Sequence, residues 1–254
     1  MGYIGEKLDV EATLDGLLRV AEKEKFQVET MTEVGGFPIY SFLRLGNRGA
    51  PIIYLSAGLH GDEPAGPLAI LRLLETGLPH DISWVICPLM NPTGLDAKTR
   101  ENSAGVDLNR DYLNPTQPET QAHIRWLNRQ RSFDLALLLH EDWETSGFYL
   151  YEVNPTKEGF GLGRKILRAV SEHCPIEKAD TIDGSEAIDG LIIPDTENFE
   201  REDWPEAFYL IKRHNQPNYT LESPSSLDLE TRVNALKVAV RAGSSAFISG
   251  RLQD

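Results

Sequence analysis

Cysteine and positive charge are both scarce in this chain. Its two cysteines, Cys87 and Cys174, stand in no CxxC or other metal-binding spacing, and a single pair is not a disulfide framework. Both read as reduced, buried thiols of a reducing compartment. Lys and Arg number 25 against 39 Asp and Glu, for a net charge of −14. With no basic stripe to neutralise phosphates, the charge argues against a nucleic-acid partner and equally against an anionic membrane surface. No apolar run reaches transmembrane length. The N-terminal MGYIGEKLDVEATLDGLL lacks a basic region followed by an apolar one, so no secretory signal is read there. The expectation is a cytoplasmic protein with no membrane partner and no pro-segment, controlled by access or compartment. Repeats, low-complexity stretches and composition breaks are also missing, which favours one domain over residues 1–254. Nothing in the sequence reports the oligomeric state.

What is present is ordinary for a globular protein: 41% hydrophobic and 25% charged residues. Helical periodicity marks 10–24. Strand-like runs at 25–34 and 37–45 flank Gly35-Gly36, a hairpin-turn signal. Further strands are predicted at 51–58, 81–92, 133–142, 147–153 and 218–224, and helices at 64–77, 118–131, 161–174, 204–215 and 226–248. Asp203 is the expected N-cap of the helix at 204–215. Residues 91–117 and 179–201 read as irregular. Strands alternating with helices predict an α/β fold: a three-layer α/β/α sandwich with a mixed, largely parallel central sheet.

In such sheets, sites gather at the carboxyl ends of strands. Titratable residues fall there three times. His60 and Glu63 of HGDE follow PIIYLSAGL, His140 follows FDLALLL, and Glu222 follows NYTL. Burying such a group alone is costly, so each calls for a partner. A zinc ion is one such partner, since it takes imidazole and carboxylate ligands and leaves a position for water. HxxE alone is weak evidence, and an isolated histidine is more often a satisfied loop residue. His80, His123, His173 and His214, in or beside predicted helices, read as surface or packing residues. Glu141 and Asp142 either orient the neighbouring His140 or solvate a strand end.

The stretch NPTGLDAKTRENSAGVDLNRDY, residues 91–112, adds order to these pieces. HGDE, then Arg100 before GVDLNRDY, then a strand-end histidine and a glutamate in TLES resemble the zinc carboxypeptidases of the M14, or funnelin, family. The resemblance runs from about residue 50 to 245. It implies one zinc ion on His60, Glu63 and His140. It implies Glu222 as the general base, Arg100 as the group polarising the scissile carbonyl, and Asn109 and Arg110 as a clamp for a terminal carboxylate. The implied partner is a small peptide or acylated amino acid with a free carboxylate. These roles are physically reasonable in their own right: a guanidinium fork matches a carboxylate, and a carboxylate beside an activated water shuttles protons.

The family's mobile tyrosine has no counterpart in 179–201, and the nearest, Tyr209, reads as a core aromatic. The same region is acidic at Asp195, Glu197, Glu200, Glu202 and Asp203. That is either a pocket for a basic side chain or an exposed charged loop. Three readings compete. The first is a carboxypeptidase or murein-peptide amidase. The second is an N-acyl amino acid deacylase, resembling aspartoacylase and succinylglutamate desuccinylase, whose typical extra β-rich domain is not expected after Glu222. The third is a metal-stabilised binding module, disfavoured because Glu222 and Arg100 are both present.

Overall fold

Hydrophobic alternation, rather than overall composition, sets the architecture. The computed structural model describes residues 6–154, 161–195, 202–215 and 217–251. Helix α1 (Val10–Lys23) is capped by Asp9, whose carboxylate accepts from the Ala12 N–H at 2.9 Å. Strands β1 (Gln27–Val34) and β2 (Phe37–Arg44) follow, joined at Gly35 and Gly36 with φ of +61° and +84°. Positive φ at both central residues is what a type I′ two-residue hairpin turn requires.

Next come β3 (Ile52–Ala57), α2 (Ala65–Glu75), β4 (Ser83–Cys87), α3 (Pro92–Ala97), a 3-10 turn (Leu108–Arg110) and α4 (Pro118–Leu127). The second half holds β5 (Leu135–Asp142), β6 (Tyr149–Val153), α5 (Leu162–Val170), β7 (Thr181–Ile182), β8 (Ser185–Glu186), β9 (Leu191–Ile192), α6 (Glu206–His214), β10 (Asn218–Pro224) and α7 (Leu229–Arg251). Eight strands form one sheet in the order β1-β2-β4-β3-β5-β10-β6-β9, and β7 pairs with β8 apart from it. The central pairs β4–β3, β3–β5 and β5–β10 are parallel, whereas β1–β2, β2–β4 and β10–β6 are antiparallel. The expected mixed, largely parallel sheet between helical layers is the one observed.

Central strands are buried on both faces, so alternate side chains go to different cores. Leu135, Leu137 and Leu139 of β5 pack with α2, α5 and α7. Ala136 and Leu138 face the other layer, where Trp126 of α4 and Tyr209 and Leu210 of α6 pack. Each fully buried leucine contributes about 1.5–3 kcal/mol. The period of two puts the next residue on that second face, His140, at the rim of the α4–α6 layer. The same count along β10 sends Tyr219 and Leu221 to the first core and turns Glu222 to the side of His140. The chain leaves β3 for β4 on one side and returns to β5 on the other, which opens a crevice at the carboxyl ends of β3 and β5.

Several local expectations differ from the structure. Helix α3 lies inside the stretch expected to be irregular; Asn91 caps it by accepting from the Gly94 N–H at 2.9 Å, and Pro92 occupies its first turn. Helix α6 is preceded by Pro205, not capped by Asp203, because the Asp203 carboxylate pairs with Arg110 at 3.5 Å. Strand β9, two residues long, completes the sheet edge within a region that gave no strand signal. Both cysteines are free and buried. Among the described residues no helix is long and apolar enough to cross a membrane.

Candidate metal centre and active site

The turn after β3 is shaped by glycine. A Cβ on Gly61 would fall 1.9 Å from the Gly94 carbonyl carbon, so only glycine lets this loop rest on α3. The Gly61 N–H bonds the Arg100 carbonyl at 3.2 Å, and the Asn91 amide donates to the Leu59 carbonyl at 3.1 Å. These contacts strap the HGDE loop to the segment that carries Arg100.

So held, His60 and Glu63 turn inward and are buried, as is His140. His60 Nδ1 lies 2.5 Å from Glu63 Oε1, and His140 Nδ1 lies 2.9 Å from Glu63 Oε2. One donor atom from each of the three residues lies within 4.8 Å of the others. Two imidazole nitrogens and a carboxylate converging in a buried space are a donor set that fits zinc. His60 Nε2 meets Asp107 Oδ1 at 3.1 Å, which fixes the ring and turns Nδ1 to the centre. Asp107 Oδ2 in turn accepts from Arg100 Nε at 3.0 Å.

The charges are strongly coupled. Burial alone would lower the His60 pKa; the Glu63 charge, with hydrogen bonds from the ring to Asp107 and Glu63, outweighs it and raises the value to about 9. Burial would raise Glu63, yet the charges of His60 and His140 hold it well below the usual carboxylate range. A divalent cation held by these three residues would displace protons from the imidazoles. Glu222 behaves oppositely: burial, with the charges of Glu63 and Asp142, pushes it up to about 8 against the pull of His140 and Arg100.

All seven residues singled out in the sequence line one cavity of about 1610 Å³: His60, Glu63, Arg100, Asn109, Arg110, His140 and Glu222. Arg100 Nη1 stands 3.7 Å from Glu63 Oε1. Glu222 is opposite His140 in β5 and opposite Tyr149 in β6, so the three form one row across the sheet. The next row is Leu138, Thr220 and Tyr151, also in the cavity wall.

Tyr149, Tyr151 and Asp107 received no role from the sequence. Asp107 sits inside GVDLNRDY and was visible there; the two tyrosines depend on strand register, which no local pattern reveals. Tyr209 is a core aromatic as expected, its hydroxyl donating to Asn128 Oδ1 at 3.2 Å. The acidic expectation is only partly met. Asp195 lines the cavity, Glu202 is exposed and outside the lining, Asp203 pairs with Arg110, and Glu197 and Glu200 lie outside the described residues. The acidic lining comes instead from Asp142, Glu144, Glu177, Asp183 and Glu186 as well. Glu141 points away from its neighbour's side: it accepts from the Ala65 N–H at 2.6 Å, at the start of α2, and from the buried Arg232.

The succinylglutamate desuccinylase/aspartoacylase catalytic domain matches residues 50–172. Carboxypeptidase SOL1 of Arabidopsis thaliana is 31% identical over 134 residues, covering 42% of this chain and 27% of that protein. Murein peptide amidase A of Escherichia coli K12 is 29% identical over 102 residues, covering 35% of this chain and 42% of that protein. The matched region thus spans less than half of the length of either curated relative. In fold, the chain resembles a candidate metallopeptidase of Shewanella amazonensis SB2B, with a TM-score of 0.83 and 22% identity over 94% of this chain and 93% of that one. It also resembles carboxypeptidase A of Helicoverpa armigera, with a TM-score of 0.71 and 16% identity over 96% and 74%. The chain is a distant homologue of the carboxypeptidases and of murein peptide amidase, and its fold is carboxypeptidase A-like.

Proposed function

We propose that this hydrolase of the metallocarboxypeptidase/amidase superfamily uses one zinc ion, within a single catalytic domain over residues 1–254, to cleave an amide bond next to a free carboxylate. The observation that carries this reading is the convergence of a His-Glu-His donor set, a titratable glutamate and two arginines on one cavity. His60, Glu63 and His140 hold the ion. Zinc bound there supplies Lewis acidity, lowering the pKa of a water to about 7.

Glu222 takes a proton from the attacking water and later returns it to the leaving nitrogen. Its place opposite His140 in the sheet suits both transfers. Arg100, tied to Asp107, presents its guanidinium to the oxygen of the scissile carbonyl as negative charge develops there. Asn109 and Arg110 hold the substrate's free carboxylate. Asp107 fixes His60 and Arg100 relative to one another.

The substrate bears a positive charge besides its free carboxylate. Asp142, Glu144, Glu177, Asp183, Glu186 and Asp195 line the same cavity, and Arg100 and Arg110 are its only Lys or Arg residues among those described. Such a wall attracts an amine or guanidinium by complementary potential. A basic terminal residue or the amino end of diaminopimelate fits it.

A second reading is an N-acyl amino acid deacylase, favoured by the domain match over residues 50–172. Hydrolysis of a substrate panel by zinc-loaded protein separates the two. The panel holds peptides ending in Lys, Phe and Glu, a γ-glutamyl-diaminopimelate peptide, N-acetyl-aspartate and N-succinyl-glutamate. Cleavage of the Lys and diaminopimelate peptides in preference to the others is expected. Turnover of only the acylated amino acids moves the protein to the deacylases.

A further inference from the structure

We infer that Glu206 is a positioning residue for Asn109, setting the direction in which that amide meets a substrate carboxylate. The inference rests on the reading of Asn109 as part of the carboxylate clamp. Asn109 Oδ1 accepts from the Glu206 backbone N–H at 2.8 Å. With its oxygen engaged there, the amide turns its NH₂ group, the donor, toward the cavity it lines.

The Glu206 carboxylate fixes where that N–H stands. It is fully buried, although it lies in the first turn of α6, where a glutamate could remain in water and still favour the helix terminus. Tyr54 Oη donates to Glu206 Oε1 at 2.6 Å, and Ser56 Oγ donates to Oε2 at 2.8 Å. Both donors are on β3, whose carboxyl end leads to His60 and Glu63. The Tyr54 oxygen accepts from His123 Nε2 at 2.9 Å, and Tyr112 Oη donates to His123 Nδ1 at 2.7 Å.

Tyr112 stands two residues after the 3-10 turn that carries Asn109, so the chain of contacts closes on itself: Asn109, Glu206, Tyr54, His123, Tyr112. The backbone repeats the link, with the Tyr112 N–H on the Trp204 carbonyl at 3.2 Å. Burying a carboxylate with neutral donors is expensive. The expense has a function if the clamp must stand at a fixed distance from the metal donors, because both are then referred to one strand. A solvated Glu206 would favour the start of α6 equally well but would not tie the N–H that holds Asn109 to β3.

The test is calorimetric binding to zinc-loaded protein carrying Glu222→Gln, which removes turnover. The probes are benzoylglycyl-lysine and its C-terminal amide, and the readout is the ratio of their Kd values. Glu206→Ala should lower the preference for the free carboxylate about tenfold, the worth of one hydrogen bond to a charged group. Asn109→Ala should lower it equally, and the two together no further than either alone. Glu206→Gln should retain most of the preference, since a carboxamide still accepts from one hydroxyl and donates to the other. If Glu206→Ala does not fold, Tyr54→Phe removes one bond to the same carboxylate at constant volume and should move the same ratio in the same direction. Zinc content should be equal throughout. An unchanged ratio in the Glu206 and Tyr54 variants, with a lowered one in Asn109→Ala, overturns the positioning role and leaves the clamp standing. An unchanged ratio in Asn109→Ala overturns both.

Discussion

Glu222 lies directly opposite His140 across the parallel β5–β10 pair, so the proposed general base and one metal donor share a register position on neighbouring strands. Their separation is set by hydrogen bonding between strands, not by a flexible loop. Glu222→Gln preserves shape and the metal donors but has no carboxylate to take a proton. Zinc content should stay at one ion per chain while kcat falls by about 10²–10⁴. Undiminished hydrolysis in this variant would sink the assignment.

His60→Ala and His140→Ala each take one donor from a three-donor set. Both should reduce zinc content to background in metal analysis after dialysis. Asp107→Asn tests the next layer: it weakens the contact that orients His60, and zinc affinity measured by competition with a chelator should fall about 10- to 100-fold. Normal affinity in Asp107→Asn would mean that the contact at 3.1 Å does not orient the ligand.

Arg110 pairs with Asp203 at 3.5 Å and lines the cavity, so its guanidinium is held without being buried. Arg110→Ala should raise KM for free-carboxylate substrates about 10- to 100-fold, from the 1.5–3 kcal/mol of a charged hydrogen bond. C-terminally amidated counterparts should be unaffected. An equal loss on both substrate types refutes the clamp.

His123 predicts acid sensitivity. Burial lowers its pKa from 6.5 to about 3 in the folded protein. Between those values the unfolded chain binds a proton that the folded one refuses. Stability from this residue is therefore complete above pH 6.5 and is lost as pH falls toward 3, with a limiting slope of about 1.4 kcal/mol per pH unit. Urea unfolding at pH 7, 6, 5 and 4 should show a shallower decline in His123→Gln than in the parent. Parallel declines would show that the imidazole is not kept neutral.

Much of this was legible in the chain. The apolar runs of β3 and β5 announce strands buried on both faces, and each ends in a titratable residue that a buried strand end does not tolerate unpaired. His60 and Glu63 could be grouped because they stand three positions apart, and His140 and Glu222 because each follows such a run. Arg100, Asn109 and Arg110 were found through the order of motifs. Tyr149 and Tyr151 were not, because their place beside Glu222 and Thr220 depends on an antiparallel pairing between strands distant in sequence. The setting of Glu206 was not legible for the same reason: its partners Tyr54 and Ser56 are far away along the chain. The acidic wall was sought at 195–203, whereas most of it is assembled from residues 142–186.

By itself, then, the sequence determined most of the strands and helices, α3 and the two-residue strands β7 to β9 excepted, and which residue types wait at the strand ends. Those properties follow from periodicity and from the cost of burying polar groups, both of which act locally. Only the tertiary structure decided which strand ends meet, how far apart their side chains stand, and which charges face the same cavity. Strand order and register arise from contacts between segments far apart in the chain, and one residue of slip would turn every side chain to the opposite face.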